Sequence, residues 1–274
     1  SASELPKTAK GARHFVVELS NAIMPVGVKI HTLLDGTPVL ARWLEITNSG
    51  AKPVALTELS PWCGRLWSGD AEFALGYALR SDIMWEGWFG WTALKSGNNT
   101  FGNAKGLSPD DPYFVLRNDS NGECFLGQLG WSANYSMEFD KDNGLEFKIG
   151  PTAKAALRVI VTGEVVNTPL VHLCYVKQGF DAAVQAMHEH IRRTVMPTRK
   201  SDKSYLIQYL IPEDWPMTVY RGDEFNETNM KKCIDVAAAL GMEAFILDGP
   251  MWGSAMGNWL IPNQQRFPNG LAPL

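Results

Sequence analysis

Glu243-Ala244-Phe245-Ile246-Leu247-Asp248-Gly249-Pro250-Met251-Trp252-Gly253 runs four apolar residues straight into an aspartate and a turn. A short unbroken apolar run fits a strand buried on both faces, as in a parallel sheet. Upstream, Asn226 is placed to cap a helix whose apolar face is Met230, Cys233, Ile234 and Ala237, and Gly241 suits the left-handed residue after its last turn. Before that helix, Tyr205 to Ile211 is a second apolar run. Strand, helix and strand within roughly 40 residues make one βαβ crossover. Asp248 then stands at the carboxyl end of the second strand, the end at which barrels and open α/β sheets bind ligands. An acid there also suits a helix cap or a turn, so position alone leaves both readings open.

The 274 residues allow one or two domains with ample core. A net charge of −4 and the lack of a basic run argue against a nucleic-acid partner. No window approaches the roughly 20 apolar residues of a membrane span. Ser1 to Lys7 is polar with no signal-peptide pattern, so the expectation is a cytoplasmic protein, with a secreted or periplasmic one left open. Cys63, Cys124, Cys174 and Cys233 lack metal-ligand spacing and lie in or near apolar stretches, which predicts buried free thiols. No cofactor is expected. His188-Glu189-His190 invites a metal reading, but on a helix positions i and i+2 point about 200° apart, so no metal is expected there. Ten tryptophans are many for this length, and indoles stack on the apolar faces of sugars as readily as they fill cores.

From His14 to about Val176 the pattern is β. Asp35-Gly36 marks a hairpin between Val26–Leu34 and Val39–Thr47, where Leu44 and Ile46 alternate with Trp43, Glu45 and Thr47. Further strands are predicted at 15–19, 54–59, 73–79, 113–116, 124–129, 135–139, 145–149, 155–161 and 170–176. Asn98 to Gly102 is read as a turn. About ten short strands with turns at this spacing argue an antiparallel β-sandwich. Phe180 to Arg193 carries helical periodicity, and Met196 to Ser204 is polar and proline-bearing. The predicted organisation is a β-sandwich over 1–177, a helix and linker over 178–204, and a parallel β/α segment over 205–274.

Several stretches share one resemblance. Arg42-Trp-Leu-Glu-Ile-Thr-Asn48, Leu129-Gly-Trp-Ser-Ala-Asn134 and Gly163-Glu164 with Thr168-Pro169 are similar to motifs of the N-terminal sandwich of glycoside hydrolase family 36, the α-galactosidase and melibiase group. Asp248, Gly253, Met256-Gly257-Asn258-Trp259 and Arg266-Phe-Pro-Asn-Gly-Leu271 resemble the second strand and following loop of that family's catalytic barrel. Gly249 departs from the family's common second aspartate, and Asn258 from the aspartate of its Gly-Asp-Trp.

The resemblance implies a supersandwich followed by the first βαβ unit of a (β/α)8 barrel, in a retaining α-glycosidase that hydrolyses terminal α-linked sugars. Its partner would be an oligosaccharide or glycoconjugate, with no nucleic acid and no membrane, and a homo-oligomer is compatible with it. Asp248, Trp252, Asn258 and Trp259 would meet substrate. Trp215 would do so from the end of the first barrel strand, and Trp88, in Met84 to Trp91, from a sandwich loop over the barrel mouth. The same aromatic stretch reads, slightly more readily, as a seal between domains. The family's two catalytic aspartates lie on later barrel strands, so no catalytic residue is expected in this chain, which reads as part of a larger enzyme. Two alternatives stand beside it: a relative acting on another α-linked sugar, which Gly249 and Asn258 favour, and a non-catalytic carbohydrate-binding module.

Overall fold

The structure is a computed structural model that describes residues 2–5, 11–21, 23–79, 88–103, 110–196, 207–210, 224–242, 244–247, 252–255, 258 and 260–274. Two compact units divide the chain, Ser1–Pro197 and Thr198–Leu274.

The first unit is built on a large antiparallel sheet. Its strands are β1 (Ala2–Leu5), β2 (Arg13–Ser20), β3 (Val26–Leu34), β4 (Val39–Asn48), β7 (Phe73–Leu79), β8 (Trp88–Ala93), β10 (Asp110–Asn118), β11 (Cys124–Leu129), β15 (Val165–Asn167) and β16 (Val171–Val176). They run in the order β1-β2-β3-β4-β16-β11-β10-β7-β8, with β15 also on β4. A second sheet faces it, ordered β6-β13-β12-β9, from β6 (Trp62–Trp67), β9 (Gly97–Asn103), β12 (Tyr135–Lys141) and β13 (Leu145–Pro151). A short pair, β5 (Val54–Leu56) and β14 (Arg158–Ile160), forms a separate two-stranded sheet.

Alternation along the central strands explains the packing. On β10, Phe114 and Leu116 point into the space between the sheets and Val115 points away; on β11, Phe125 and Leu129 oppose Cys124 and Leu126 in the same manner. Phe114 meets Phe139 edge-on at 5.1 Å and Phe147 at 4.7 Å. Gly127 lies directly opposite Phe114 on the neighbouring strand, and a methyl there would come within 2.1 Å of the ring, so only glycine lets this phenylalanine lie flat across β11. The outer face of the same strands is covered by helix α1 (Phe180–His190), whose Ala183 and Met187 pack on Val39, Val115, Leu126 and Cys174. The helix therefore belongs with the strands, and a π-helical turn, Ile191–Val195, extends it.

Three expectations change. Residues 98–102 form not a turn but most of β9, paired with β12 from Asn103↔Tyr135 to Gly97↔Lys141. Polar β9 pairs because Asn99 ties the strand's start, accepting from Lys95 N–H and donating to the Lys95, Gly97 and Phe139 carbonyls, while Phe101 packs edge-on against Phe139. Cys63 is exposed, since it falls on the solvent side of alternating β6, whereas Cys124 and Cys174 are buried. The third change, at Ala244–Leu247, belongs to the second unit.

The stretches that carried the resemblance hold turns together. Asn48 is fully buried; its amide donates to the carbonyls of Lys52 and Ile160 at 2.8 and 3.1 Å and its oxygen accepts from Gly50 N–H at 2.9 Å. Arg42 lies over the Trp62 ring at 4.3 Å. Trp131 donates to the Asn134 carbonyl at 3.1 Å, and Thr168 accepts from Leu44 N–H at 2.9 Å. Glu164 is ion-paired with Arg158 at 2.6 Å and accepts from Val161 N–H.

Asn48→Ala should cost about 1–3 kcal/mol in urea denaturation, because it strands the buried Ile160 carbonyl and leaves the Lys52 carbonyl and the Gly50 amide without their partner. Asn48→Asp should do no better, since it turns a carboxylate oxygen toward those carbonyls. An Asn48→Asp variant of wild-type stability would show that the amide donates to neither carbonyl.

Candidate functional site

The second unit holds two of the predicted site residues in described positions, Trp252 and Asn258. β17 (Ile207–Leu210) and β18 (Ala244–Leu247) are parallel neighbours in register Ile207↔Ala244 to Leu210↔Leu247, joined through helix α2 (Glu227–Ala239). Asn226 caps the helix as predicted: in extended conformation, its side chain accepts from Asn229 N–H at 3.1 Å. Gly241 follows the last turn at φ +80°. β18 is not buried on both faces: Phe245 and Leu247 are half-buried, whereas Ala244 and Ile246 are exposed. A pair of strands with a single covering helix shields only one of its faces.

Beyond β18 the chain folds on itself. Gly253 bridges Pro262, Ser254 N–H donates to the Ile261 carbonyl at 2.8 Å, and Asn263 N–H donates to the Trp252 carbonyl at 2.8 Å. Asn258 closes the tip. Its N–H donates to the Ala255 carbonyl at 3.0 Å and its side-chain amide donates to Ser254 Oγ at 3.0 Å. Asn263 then opens the next turn, its side-chain oxygen accepting from the N–H groups of Gln265 and Arg266. The loop is also tied to the start of α2. Glu227 N–H, one of the donors a helix leaves free at its start, reaches the Arg266 carbonyl at 3.0 Å, and the Glu227 carboxylate accepts from Asn269 at 3.2 Å. Lys231, ion-paired with Glu227 at 2.5 Å, holds that carboxyl below its ordinary range. Underneath, Phe225, Met230 and Phe267 are fully buried, with Cys233, Leu247, Trp252 and Leu271 against them. Burial pushes the Cys233 thiol up, which keeps it protonated and unreactive.

Of the predicted substrate residues, Trp252 and Asn258 thus share one loop, Trp252 half-buried against the Phe225–Phe267 cluster and Asn258 bonded to Ser254. Asp248, Trp215 and Trp259 lie outside the described residues. Trp88 belongs to the first unit, where its backbone opens edge strand β8 opposite Leu79, and its side chain is likewise outside the description. Next along β8, Phe89 and Trp91 are exposed, and Arg117 covers the Trp91 ring at 4.7 Å. A cleft of about 570 Å³ opens in the first unit between β3, β4, β16 and β6, lined by Leu40, Trp62, Trp67, Phe125 and Tyr175, and holds none of the predicted site residues. Among the described residues no group of three or more His, Cys, Asp or Glu side chains is arranged to hold a metal.

One buried constellation escaped the sequence reading. His190 is fully buried between His172, 2.8 Å away, and Asp35, 3.0 Å away. The signal was in the spacing: His190 follows Ala183 and Met187 at helical intervals and so falls on the apolar stripe, while His188 faces solvent.

Comparison with known proteins supplies kinship. The Melibiase family model matches residues 165–274. α-Galactosidase 1 of Pediococcus pentosaceus is 27% identical over 193 residues, covering 65% of this chain and 25% of that protein. α-Galactosidase Mel36A of Lactobacillus acidophilus is 25% identical over 259 residues, covering 88% of this chain and 34% of that one. The chain is similar to the α-galactosidases of this family. Solved structures agree in fold. The galactosidase domain of α-galactosidase-sucrose kinase AgaSK superposes with a TM-score of 0.75 at 22% identity, over 96% of this chain and 37% of that one. The α-galactosidase AgaA of Geobacillus stearothermophilus, in complex with raffinose, gives 0.74 at 20% identity, over 98% of this chain and 38% of that one. The α-galactosidase-like chain thus spans between a quarter and two-fifths of the length of these relatives.

Phe267, the phenylalanine of the Phe-Pro stretch, is the anchor of this loop. Phe267→Ala should destabilise the second unit by about 3–5 kcal/mol. Hydrogen exchange over 224–242 should report it as lost protection in α2, while strands of the first unit keep theirs. Unchanged α2 exchange would mean that the loop packs without Phe267.

Proposed function

We propose that the chain is the N-terminal sandwich and the opening βαβ unit of a (β/α)8 catalytic barrel in a retaining α-galactosidase that removes terminal α-linked galactose from oligosaccharides or glycoconjugates. The observation that carries this is the parallel pair β17 and β18 around α2, lying inside the stretch matched by the Melibiase family. Relatives matched over most of this chain are α-galactosidases, and one structural neighbour of like fold holds raffinose and another stachyose.

Retaining hydrolysis uses two carboxyl groups about 5–5.5 Å apart, one attacking the anomeric carbon and one protonating the leaving oxygen. By resemblance both come from later barrel strands, so the role of the present residues is to bind and orient. Asp248 follows β18 directly, at the carboxyl end where a barrel opens, and its carboxylate can accept hydrogen bonds from two sugar hydroxyls. Trp252, Trp259, Trp215 and Trp88 would offer indole faces to the sugar, and Asn258 an amide. Gly249 and Asn258, where the family commonly carries aspartates, favour a second reading in which the enzyme takes a different α-linked sugar.

The test is the protein translated from the whole reading frame. It should hydrolyse aryl α-galactosides and raffinose, whereas residues 1–274 alone should show no turnover. In the whole enzyme Asp248→Asn should lower kcat/KM about tenfold to a hundredfold, the equivalent of about 1.5–3 kcal/mol of charged hydrogen bonding, with little change in Tm. Full activity in that variant, or its unfolding, would make Asp248 a structural residue. Hydrolysis of another α-glycoside in preference to galactosides would establish the second reading.

A further inference from the structure

Helix α1 is held to the large sheet by more than apolar contact. At its C-terminal end His190 is fully buried, and both ring nitrogens are engaged. Nδ1 lies 3.0 Å from Asp35 Oδ2, on the turn between β3 and β4, and Nε2 lies 2.8 Å from His172 Nδ1, on β16. Thr194, one turn on, donates to the His190 carbonyl at 2.9 Å and lies beside the ring. Arg193 reaches the Asp35 carbonyl at 3.4 Å, its charge shared with Glu189. Among the described residues, Cys124, Cys174 and Tyr113 beside this stripe are pushed upward by burial and therefore neutral, while His14, His31, Lys29 and Glu45 lie further along the same face of β2, β3 and β4, where burial lowers the His31 pKa. His188 is exposed on the opposite side of the helix.

This chain of groups can carry only a limited number of protons. Asp35 is a carboxylate, since the hydrogen bonds from Thr37 and His190 outweigh the burial that opposes its charge and lower its pKa. It accepts from His190 Nδ1–H, which leaves one proton to lie between His190 Nε2 and His172 Nδ1. A further proton on that pair falls on His172 Nε2; it leaves the 2.8 Å hydrogen bond in place and puts a positive charge on a ring that is only 8% exposed. Burial solvates that cation poorly, so the closed pair resists the proton.

We propose that Asp35, His190 and His172 form an acid-released latch that fastens the C-terminal half of α1 to the large sheet. With the latch closed, α1 covers Val39, Val115, Leu126 and Cys174. When α1 lifts, His172 becomes free to take a proton, so acid favours the lifted state.

The sign follows from the two states. Burial, with the neighbouring His190, lowers the His172 pKa from 6.5 to about 4 in the closed form. The closed form is therefore fully favoured above about pH 6.5 and loses ground as pH falls toward 4. Opening of α1 should become roughly twentyfold more frequent between pH 7 and pH 5.

Hydrogen exchange over residues 180–195 tests this at pH 7 and pH 5, after correction for the intrinsic pH dependence of amide exchange. The wild-type chain should lose α1 protection at pH 5, while β12 and β13 keep theirs. His172→Asn replaces the titrating ring with an amide and should abolish the difference between the two pH values. His188→Asn, on the exposed side of the same helix, should leave it intact. Equal corrected exchange at both pH values in the wild-type chain overturns the proposal without any variant. So does a pH dependence that survives in His172→Asn.

Discussion

Three neighbouring strands of the large sheet, β10, β11 and β16, are apolar on both faces, and most of the first unit answers that constraint. Such strands need two covers. The four-stranded sheet supplies one through the ring cluster of Phe114, Phe139 and Phe147, and α1 supplies the other through Ala183 and Met187. Because apolar surface left in water costs about 25 cal/mol per Å², a sandwich without α1 would leave Val115, Leu126 and Cys174 uncovered. The helix is thus part of the core and not a spacer after it. Its attachment by both apolar packing and a buried hydrogen-bond chain follows from where His190 falls on its stripe.

Buried polar groups decide how the turns close. Asn48, Asp35 and Thr168 are each buried; Asn48 and Thr168 meet the backbone of another segment, and Asp35 meets the His190 ring. In a medium of low polarity an unmet hydrogen bond costs more than a met one gains, so such residues restrict the chain to one arrangement. The stretches around Arg42, Asn48, Trp131, Glu164 and Thr168, which carry the family resemblance in the sandwich, are of this type. They report kinship through architecture. The residues expected to touch sugar belong to the smaller unit and to β8.

That smaller unit follows the same logic on a reduced scale. Three buried side chains, Phe225, Met230 and Phe267, draw the loop after β18 onto α2, and Glu227 joins the helix start to Arg266 and Asn269. Trp252 and Asn258 are consequently carried by a loop anchored at its far end, on the side of the sheet where β18 delivers the chain to Asp248.

Much of this was legible in the residue order. Local signals settled the strands from 15 to 47 and 113 to 149, the Asp35-Gly36 hairpin, the Asn226 cap and the parallel crossover, since periodicity, caps and turn residues act over a few neighbours. Family motifs brought out the kinship. What the order did not disclose depends on partners distant in sequence. Asn98 to Gly102 is polar and turn-like alone, and becomes a strand only because β12, some forty residues later, offers it a ladder. Cys63 looks apolar in its neighbourhood, yet the pleat of β6 turns it outward. Ala244 to Leu247 reads as doubly buried, but burial belongs to whatever packs on a strand, and one helix covers one face. Asp35 and His190 stand 155 positions apart, and the sheet joins them because β4, β16 and α1 are neighbours in space alone. Sequence determined the type of most elements and carried the family resemblance; tertiary packing determined which side chains are shielded from water, and hence which of them carry a proton.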